Sequence, residues 1–466
     1  MLTTRETPGA LNAAAGGIVV TASESFAALV EDRQVTSLFQ PLIHLGTGEV
    51  VGYEALSRGP QGTPFASAAA LFGQAEVDGL EAELDWVCLG SAFESFAQAG
   101  APPSSSLFVN MSVGLHPDRC PPDIHRVVAR AESSMRVFIE VNDTALAADP
   151  AGVLATVDRA RELGWGVSVD DVGSSPGCLA VLPLVSADVV KLDMRMLRHE
   201  EPGDFAPAVG PLLRYVESSG ATLVVKGIES EADMQFARAL GATVGQGYHL
   251  GAPEPLSGPV SAPRAVVPLI GSARDLGTVS SPREIVEENL SQRMTSEAML
   301  EIGGFFIRRA LATGSRPVVL IGQGGGPPLD GALLRDPMPG LCEAAVLCAL
   351  FGFDAPTVEL PEERFVDVPG GDPLVRQSFL VVLTKSMAVA MVGTRPVPGD
   401  AVLEVVLTQD EETVYRVAEH LIRRIPYADG EQALPVDRAV LQPADGGASE
   451  EVVEQRIDGQ PVARRL

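Results

Sequence analysis

The chain has 466 residues, of which 46% are hydrophobic and 20% charged, with a mean hydropathy of +0.18. That composition fills large cores and excludes a mainly disordered chain, and the length suits one large barrel plus a mid-sized domain. The 61 acidic residues against 34 lysines and arginines leave a net charge of −27, a field that repels nucleic acid where no dense basic run offsets it.

Residues 1–25 are small and polar and read as a flexible N-terminal arm. From Val35 short apolar runs alternate with helical patterns. The strand-like runs are Leu38–Leu45, Val50–Ala55, Leu107–Val113, Val137–Val141, Val167–Val172, Val189–Met194, Leu223–Ile228 and Thr243–Leu250. Amphipathic segments such as Phe65–Ala75, Glu81–Ala97 and Ala151–Leu163 lie between them. Strands alternating with helices in this number predict α/β architecture, a TIM-like (β/α) barrel over residues 26–258. Pro253, Pro255, Pro259, Pro263 and Pro268 mark the end of the barrel and a Pro-rich linker over 259–282.

A smaller α/β domain is expected over 283–434. Its helical patterns are Arg283–Arg293 and Ser296–Leu311, and its strands Pro317–Ile321, Ser378–Thr384, Ala388–Gly393 and Leu403–Leu407. A helix, Glu411–Arg424, closes it. The run Gly322-Gln323-Gly324-Gly325-Gly326 lacks the Gly-Lys-Ser/Thr of a phosphate loop, and Pro327-Pro328 bar a helix from following it, so it reads as a surface turn. Residues 435–466 are polar and acidic and read as a disordered tail. The five cysteines are scattered, with no metal-binding or disulfide spacing, and no apolar run reaches the ~18 residues of a membrane span. A cytoplasmic, reduced chain with no membrane contact is expected.

In a β/α barrel, chemistry gathers at the carboxyl ends of the strands. Polar residues close nearly every run: Glu54, Asn110, Glu140, the pair Asp170-Asp171, Lys191 with Asp193, Lys226 with Glu229, and Gln246. One acid at a strand end is commonly a helix cap. Several carboxylates and an amide on successive strand ends form a ring of hard oxygen donors, suited to Mg²⁺ or Mn²⁺. Adjacent acids such as Asp170-Asp171 can face two neighbouring ions, as in two-metal phosphodiester hydrolysis.

These residues resemble the EAL family of cyclic di-GMP phosphodiesterases and their inactive relatives. Gln40-Pro41, Glu54-Ala55-Leu56-Ser57-Arg58, Asn110-Met111-Ser112, Glu140-Val141-Asn142-Asp143, Asp170-Asp171-Val172-Gly173, Lys191-Leu192-Asp193 and Gln246-Gly247-Tyr248 follow in the family's order. The resemblance implies that Glu54, Asn110, Glu140 and Asp170 hold one metal and that Asp170 and Asp171 hold a second. It implies that Lys191 orients the attacking water. Arg58 would contact a ligand phosphate, Gln40 a guanine, and Gln246 the metal-bound water. The implied reaction opens cyclic di-GMP to linear pGpG, and the implied assembly is a homodimer through the barrel.

Three positions depart from the family's pattern. Where the family carries its general-base glutamate, this chain has Lys226, in Lys226-Gly227-Ile228-Glu229. An ammonium near its ordinary pKa of about 10.4 takes no proton from water, and it repels a divalent ion. The loop after Asp171 reads Gly173-Ser174-Ser175-Pro176-Gly177-Cys178 in place of the family's Gly-Thr-Gly-Tyr-Ser-Ser. Asp143 replaces the glutamate that anchors that loop, one methylene shorter; Asp143 and Glu229 are the expected loop supports. These departures predict a degenerate EAL domain that binds cyclic di-GMP without efficient hydrolysis and with doubtful metal occupancy. The alternatives are a working phosphodiesterase, slow or using altered loops, and a dimerising scaffold that binds no nucleotide; a neutral Lys226, its pKa depressed by Lys191 and two metals, is a separate route back to a base. The C-terminal domain resembles the DICT sensory module, which implies a small-molecule signal or a protein partner there.

Overall fold

The computed structural model describes residues 22–113, 115, 120–175, 177–198, 206–270, 279–312, 314, 316–324, 341, 344–352, 365–396 and 402–426. The expected tail over 435–466 and most of the expected arm lie outside them. The arm is shorter than expected at its inner end, because helix α1 (Ala22–Glu31) already starts at Ala22 and buries Phe26, Leu29 and Val30.

Eight strands close into a barrel: β1 (Thr36–His44), β2 (Val50–Arg58), β3 (Ser106–Asn110), β4 (Arg136–Asn142), β5 (Gly166–Asp170), β6 (Val189–Asp193), β7 (Thr222–Lys226) and β8 (Val244–Gly245). All eight sequence runs are found, and the TIM-like expectation holds with one difference. β1 is antiparallel to both β2 and β8, because a short turn rather than a helix joins it to β2. Helices α2 (Ala68–Asp78), α3 (Glu81–Gln98), α4 (Pro122–Ser134), α5 (Asp143–Ala148), α6 (Pro150–Glu162), α7 (Cys178–Val185), α8 (Met194–Arg198), α9 (Ala206–Ser219) and α10 (Glu231–Ala239) follow in chain order. Polar side chains start several of them: Ser67 accepts from Ala70 N at 3.2 Å, and Ser230 from Asp233 N at 3.2 Å.

The proline-rich segment is more than a spacer. Val267 is buried with Leu42, Val51, Phe108, Phe138, Val189, Val224 and Val244, and so plugs the barrel floor. Arg136 donates to its carbonyl. The buried Asp188 then fixes the strap, accepting from Ile270 N at 2.7 Å and from Val167 N at 2.7 Å while pairing with Arg161.

The second domain follows a short helix, α11 (Pro282–Ile285). A seven-stranded sheet has the order β12-β11-β10-β13-β14-β15-β9. Its strands are β9 (Ser291–Thr295), β10 (Val318–Gly322), β11 (Leu347–Phe351), β12 (Phe365–Val366), β13 (Gln377–Thr384), β14 (Met387–Thr394) and β15 (Val402–Thr408). The helical pattern expected over Arg283–Arg293 is corrected: α11 stops at Ile285 and β9 pairs with the outer edge of β15, satisfying a row of backbone groups that a helix would leave open.

Alternation along the strands sorts the sheet's two faces. Val319, Ile321, Leu380, Val382, Val389 and Met391 face helix α12 (Ser296–Ala312) through Met299, Phe306 and Ile307. Val318, Leu320, Val381, Leu383, Ala390 and Val392 join a different cluster. That cluster contains Val414, Val417 and Leu421 of the closing helix α13 (Glu411–Ile422) together with Val181, Leu182 and Leu184 of barrel helix α7. Barrel and sheet therefore share one core, within a single compact unit, Met1–Ala433. Arg423 crosses the junction, with its Nε and Nη2 at 2.8 and 2.9 Å from the Asp158 carboxylate on α6. Among the described residues no helix is long and apolar enough to cross a membrane.

Candidate functional site

Strand register brings the predicted polar residues to one end of the barrel. The β1–β2 pairing sets Gln40 opposite Glu54. Asn110 lies opposite Glu140, Asn142 opposite Asp170, and Asp193 opposite Lys226. Two ammonium groups organise the ring.

The inner one is Lys191, fully buried on β6. Its Nζ lies 2.7 Å from Glu54 Oε2 and also pairs with Glu140 Oε1, above the Phe108 ring at 5.2 Å from its centroid. Burial alone would depress this amine, but Glu140, Glu54 and Asp170 outweigh it and raise its pKa. Burial would raise Glu54, yet Lys191 and the Gln246 amide hold it below its ordinary value. Burial and the adjacent Glu54 charge raise Glu140.

The outer ammonium is Lys226. Its Nζ lies 2.8 Å from Asp170 Oδ2 and 2.8 Å from Asp171 Oδ1. Burial acts to lower its pKa, but the two carboxylates outweigh this and raise it, which favours the ammonium form. Asp171 reaches this contact from a left-handed backbone (φ +54°), uncommon for a residue with a Cβ.

A divalent ion between Asp170 and Asp171 would have to occupy the place of the Lys226 ammonium. The donor set therefore does not fit the second ion of a two-metal centre. The inner carboxylates, Glu54 and Glu140, are likewise engaged by Lys191.

Gln246 donates from Nε2 to Glu54 Oε2 at 2.8 Å and to Gln40 Oε1 at 3.1 Å, while Gln40 donates to Gly251 O at 3.1 Å. Gln246 Oε1 is buried without a hydrogen-bond partner among the described residues. Asn110 stands exposed at the rim. Arg58 is half-buried and donates to Ser57 O at 2.8 Å.

Asp143 reaches the loop despite its shorter side chain. Its Oδ2 accepts from Gly173 N at 3.0 Å and Ser175 N at 2.8 Å, and its Oδ1 from the Ser174 hydroxyl. Glu229, the other expected support, makes no side-chain hydrogen bond to the loop among the described residues. Gly227 turns the chain with φ +74°, the Glu229 side chain is exposed, and its backbone N–H donates to Asp233 Oδ2 at 3.0 Å. Sequence reasoning passed over Arg195. Its Nε and Nη2 grip the buried Asp193 at 3.0 and 2.6 Å, leaving an exposed guanidinium beside the ring. An arginine two residues after a strand-end acid was the available signal.

The EAL domain family matches residues 23–253. The chain is 30% identical over 235 residues to an uncharacterized signaling protein of Caulobacter vibrioides, covering 49% of this chain and 28% of that protein. It is 25% identical over 223 residues to the probable cyclic di-GMP phosphodiesterase PdeB of Escherichia coli K12, covering 47% of this chain and 42% of that protein. It thus spans less than half the length of either relative. The solved FimX EAL domain from Pseudomonas aeruginosa, bound to c-di-GMP, is 20% identical, covers 51% of this chain and 98% of that chain, and superposes with a TM-score of 0.43.

Proposed function

Because residues 23–253 are an EAL domain homologous to cyclic di-GMP phosphodiesterases, we propose that the barrel binds cyclic di-GMP at its strand ends without efficient hydrolysis. The observation that carries this reading is Lys226 Nζ at 2.8 Å from both Asp170 and Asp171. Hydrolysis needs a group that takes a proton from water in reach of the phosphodiester. An ammonium held between two carboxylates cannot take one, and Lys191 is held in the same state by Glu54 and Glu140.

Binding has separate support. Lys226 replaces the charge of an ion with a fixed positive charge opposite the acid pair. Arg58 and Arg195 add two guanidiniums at the rim. Gln246 Oε1 is a buried acceptor whose unmet hydrogen bond costs about 1–3 kcal/mol, and a ligand N–H can fill it. The C-terminal domain, in this reading, is a DICT-like regulatory module.

The test is pGpG formation from cyclic di-GMP in excess Mg²⁺ or Mn²⁺, with calorimetric binding run in parallel with and without chelator. The unmodified protein is expected to bind without product, and to do so in chelator. Lys226→Glu is expected to restore product. Steady turnover by the unmodified protein would overturn the non-hydrolytic reading, and absence of binding would leave a scaffold.

A further inference from the structure

The C-terminal sheet reaches the loop that bears the acid pair. Gly177 closes that loop and caps α7. Its backbone, φ −94° and ψ −18°, is one any residue adopts, so conformation does not demand glycine there. Space does. A Cβ built on Gly177 would overlap Val346 Cγ2 and lie 3.1 Å from Val346 Cβ. Val346 is buried immediately before β11, and its N–H donates to Pro317 O at 2.9 Å, so the sheet holds it in place.

From Gly177 the contacts run back to the acids. Cys178 N donates to Ser175 O at 3.2 Å, and Ser175 N to Asp143 Oδ2 at 2.8 Å. Ser174 N donates to Asp171 O at 3.1 Å, and Val172 N to Lys191 O at 3.1 Å. Asp171 itself sits in the left-handed conformation, which persists only where surrounding structure over-determines it.

We propose that Val346 is a positioning residue: by packing against Gly177, the C-terminal domain sets the loop from Asp171 to Ser175 and so tunes the acid pair that Lys226 bridges. The effect on ligand rests on the nucleotide-binding reading above; the effect on the loop does not.

Hydrogen–deuterium exchange on the full chain tests it at the Gly173 and Ser175 amides. Val346→Ala is expected to speed their exchange about tenfold while β4 and β6 stay protected. Gly177→Ala should do the same, and the Gly177→Ala/Val346→Ala pair should return toward the parent rate, the signature of direct coupling. Unchanged loop exchange in Val346→Ala overturns the proposal. So does a Gly177→Ala disturbance confined to residues 344–352. If Gly177→Ala does not fold, Val346→Ala decides alone. Calorimetry supplies the ligand arm, with an expected loss of about fivefold in cyclic di-GMP affinity for Val346→Ala. Parent protein that binds no nucleotide removes the receptor reading and leaves the exchange result standing. Faster loop exchange with unchanged affinity removes the tuning.

Discussion

Two lysines meet the same ring of acids, and their surroundings make them different devices. Lys191 has no solvent access, and its partners Glu54 and Glu140 are also buried. Lys226 keeps 19% of its side chain exposed, and Asp171 keeps 41%. Charges removed from water must be matched inside the protein, so the inner lysine is a condition of burying two glutamates at all. The outer lysine sits where water can still solvate its partners. The inner cluster is framework, and the outer one is a solvent-facing contact whose ammonium can be removed at low cost.

The largest expected effect follows from the inner cluster. Lys191→Met leaves Glu54 and Glu140 buried with no ammonium, a loss of about 3–5 kcal/mol for a broken buried pair. The denaturant midpoint reads it. A loss below about 1 kcal/mol, the range of exposed pairs, would erase the distinction between the two lysines. The triple variant with Glu54→Gln and Glu140→Gln should recover most of the loss, since it removes the stranded charges along with their partner.

The strand ends of this ring were legible in the sequence because each apolar run stops at a polar residue. Register then brings Gln40, Glu54, Glu140, Asp170, Lys191 and Gln246 to one end. What was not legible is which atoms each charge prefers. Lys226 could be read as a lost base, but its grip on both Asp170 and Asp171, the latter met from a left-handed turn, is a matter of tertiary placement. The floor strap was hidden because prolines in series describe extended chain whether it is packed or free. β11 was missed because Leu347–Phe351 is apolar throughout, which fits a buried strand or a buried helix equally. The shared core did leave a trace. In Cys178-Leu179-Ala180-Val181-Leu182-Pro183-Leu184-Val185 the apolar residues run all round the helix, where an outer barrel helix should show a polar face. Such a helix requires a cover, and the C-terminal sheet provides it.

A buried histidine sharpens the comparison from outside the barrel. His420, in the last turn of α13, is buried, with Arg424, Asp372, Glu284 and Arg423 around it. Burial, reinforced by Arg424, depresses its pKa to about 4. An unfolded histidine takes its proton near pH 6.5, so the folded chain resists a protonation that the unfolded chain accepts. Its contribution is intact above pH 6.5 and falls as pH drops to about 4, by up to about 3 kcal/mol. Subtracting the pH–stability curve of His420→Gln from that of the parent isolates this slope. A flat difference between pH 6.5 and pH 4 would mean that the fold does not resist protonation of His420.

The smallest effect on stability, and the most informative about exchange, belongs to Lys226→Met. Asp170 and Asp171 lose their ammonium but keep contact with water, so the expected cost is about 1 kcal/mol or less. The freed acid pair then presents two adjacent carboxylates to solvent. Mg²⁺ or Mn²⁺ at about tenfold above its dissociation constant should return about 1.4 kcal/mol to this variant. The parent, whose acid pair already holds a cation, should gain nothing from metal at the same concentration. An equal metal-dependent rise in melting temperature for parent and variant would show that the ammonium does not compete with a divalent ion at the acid pair.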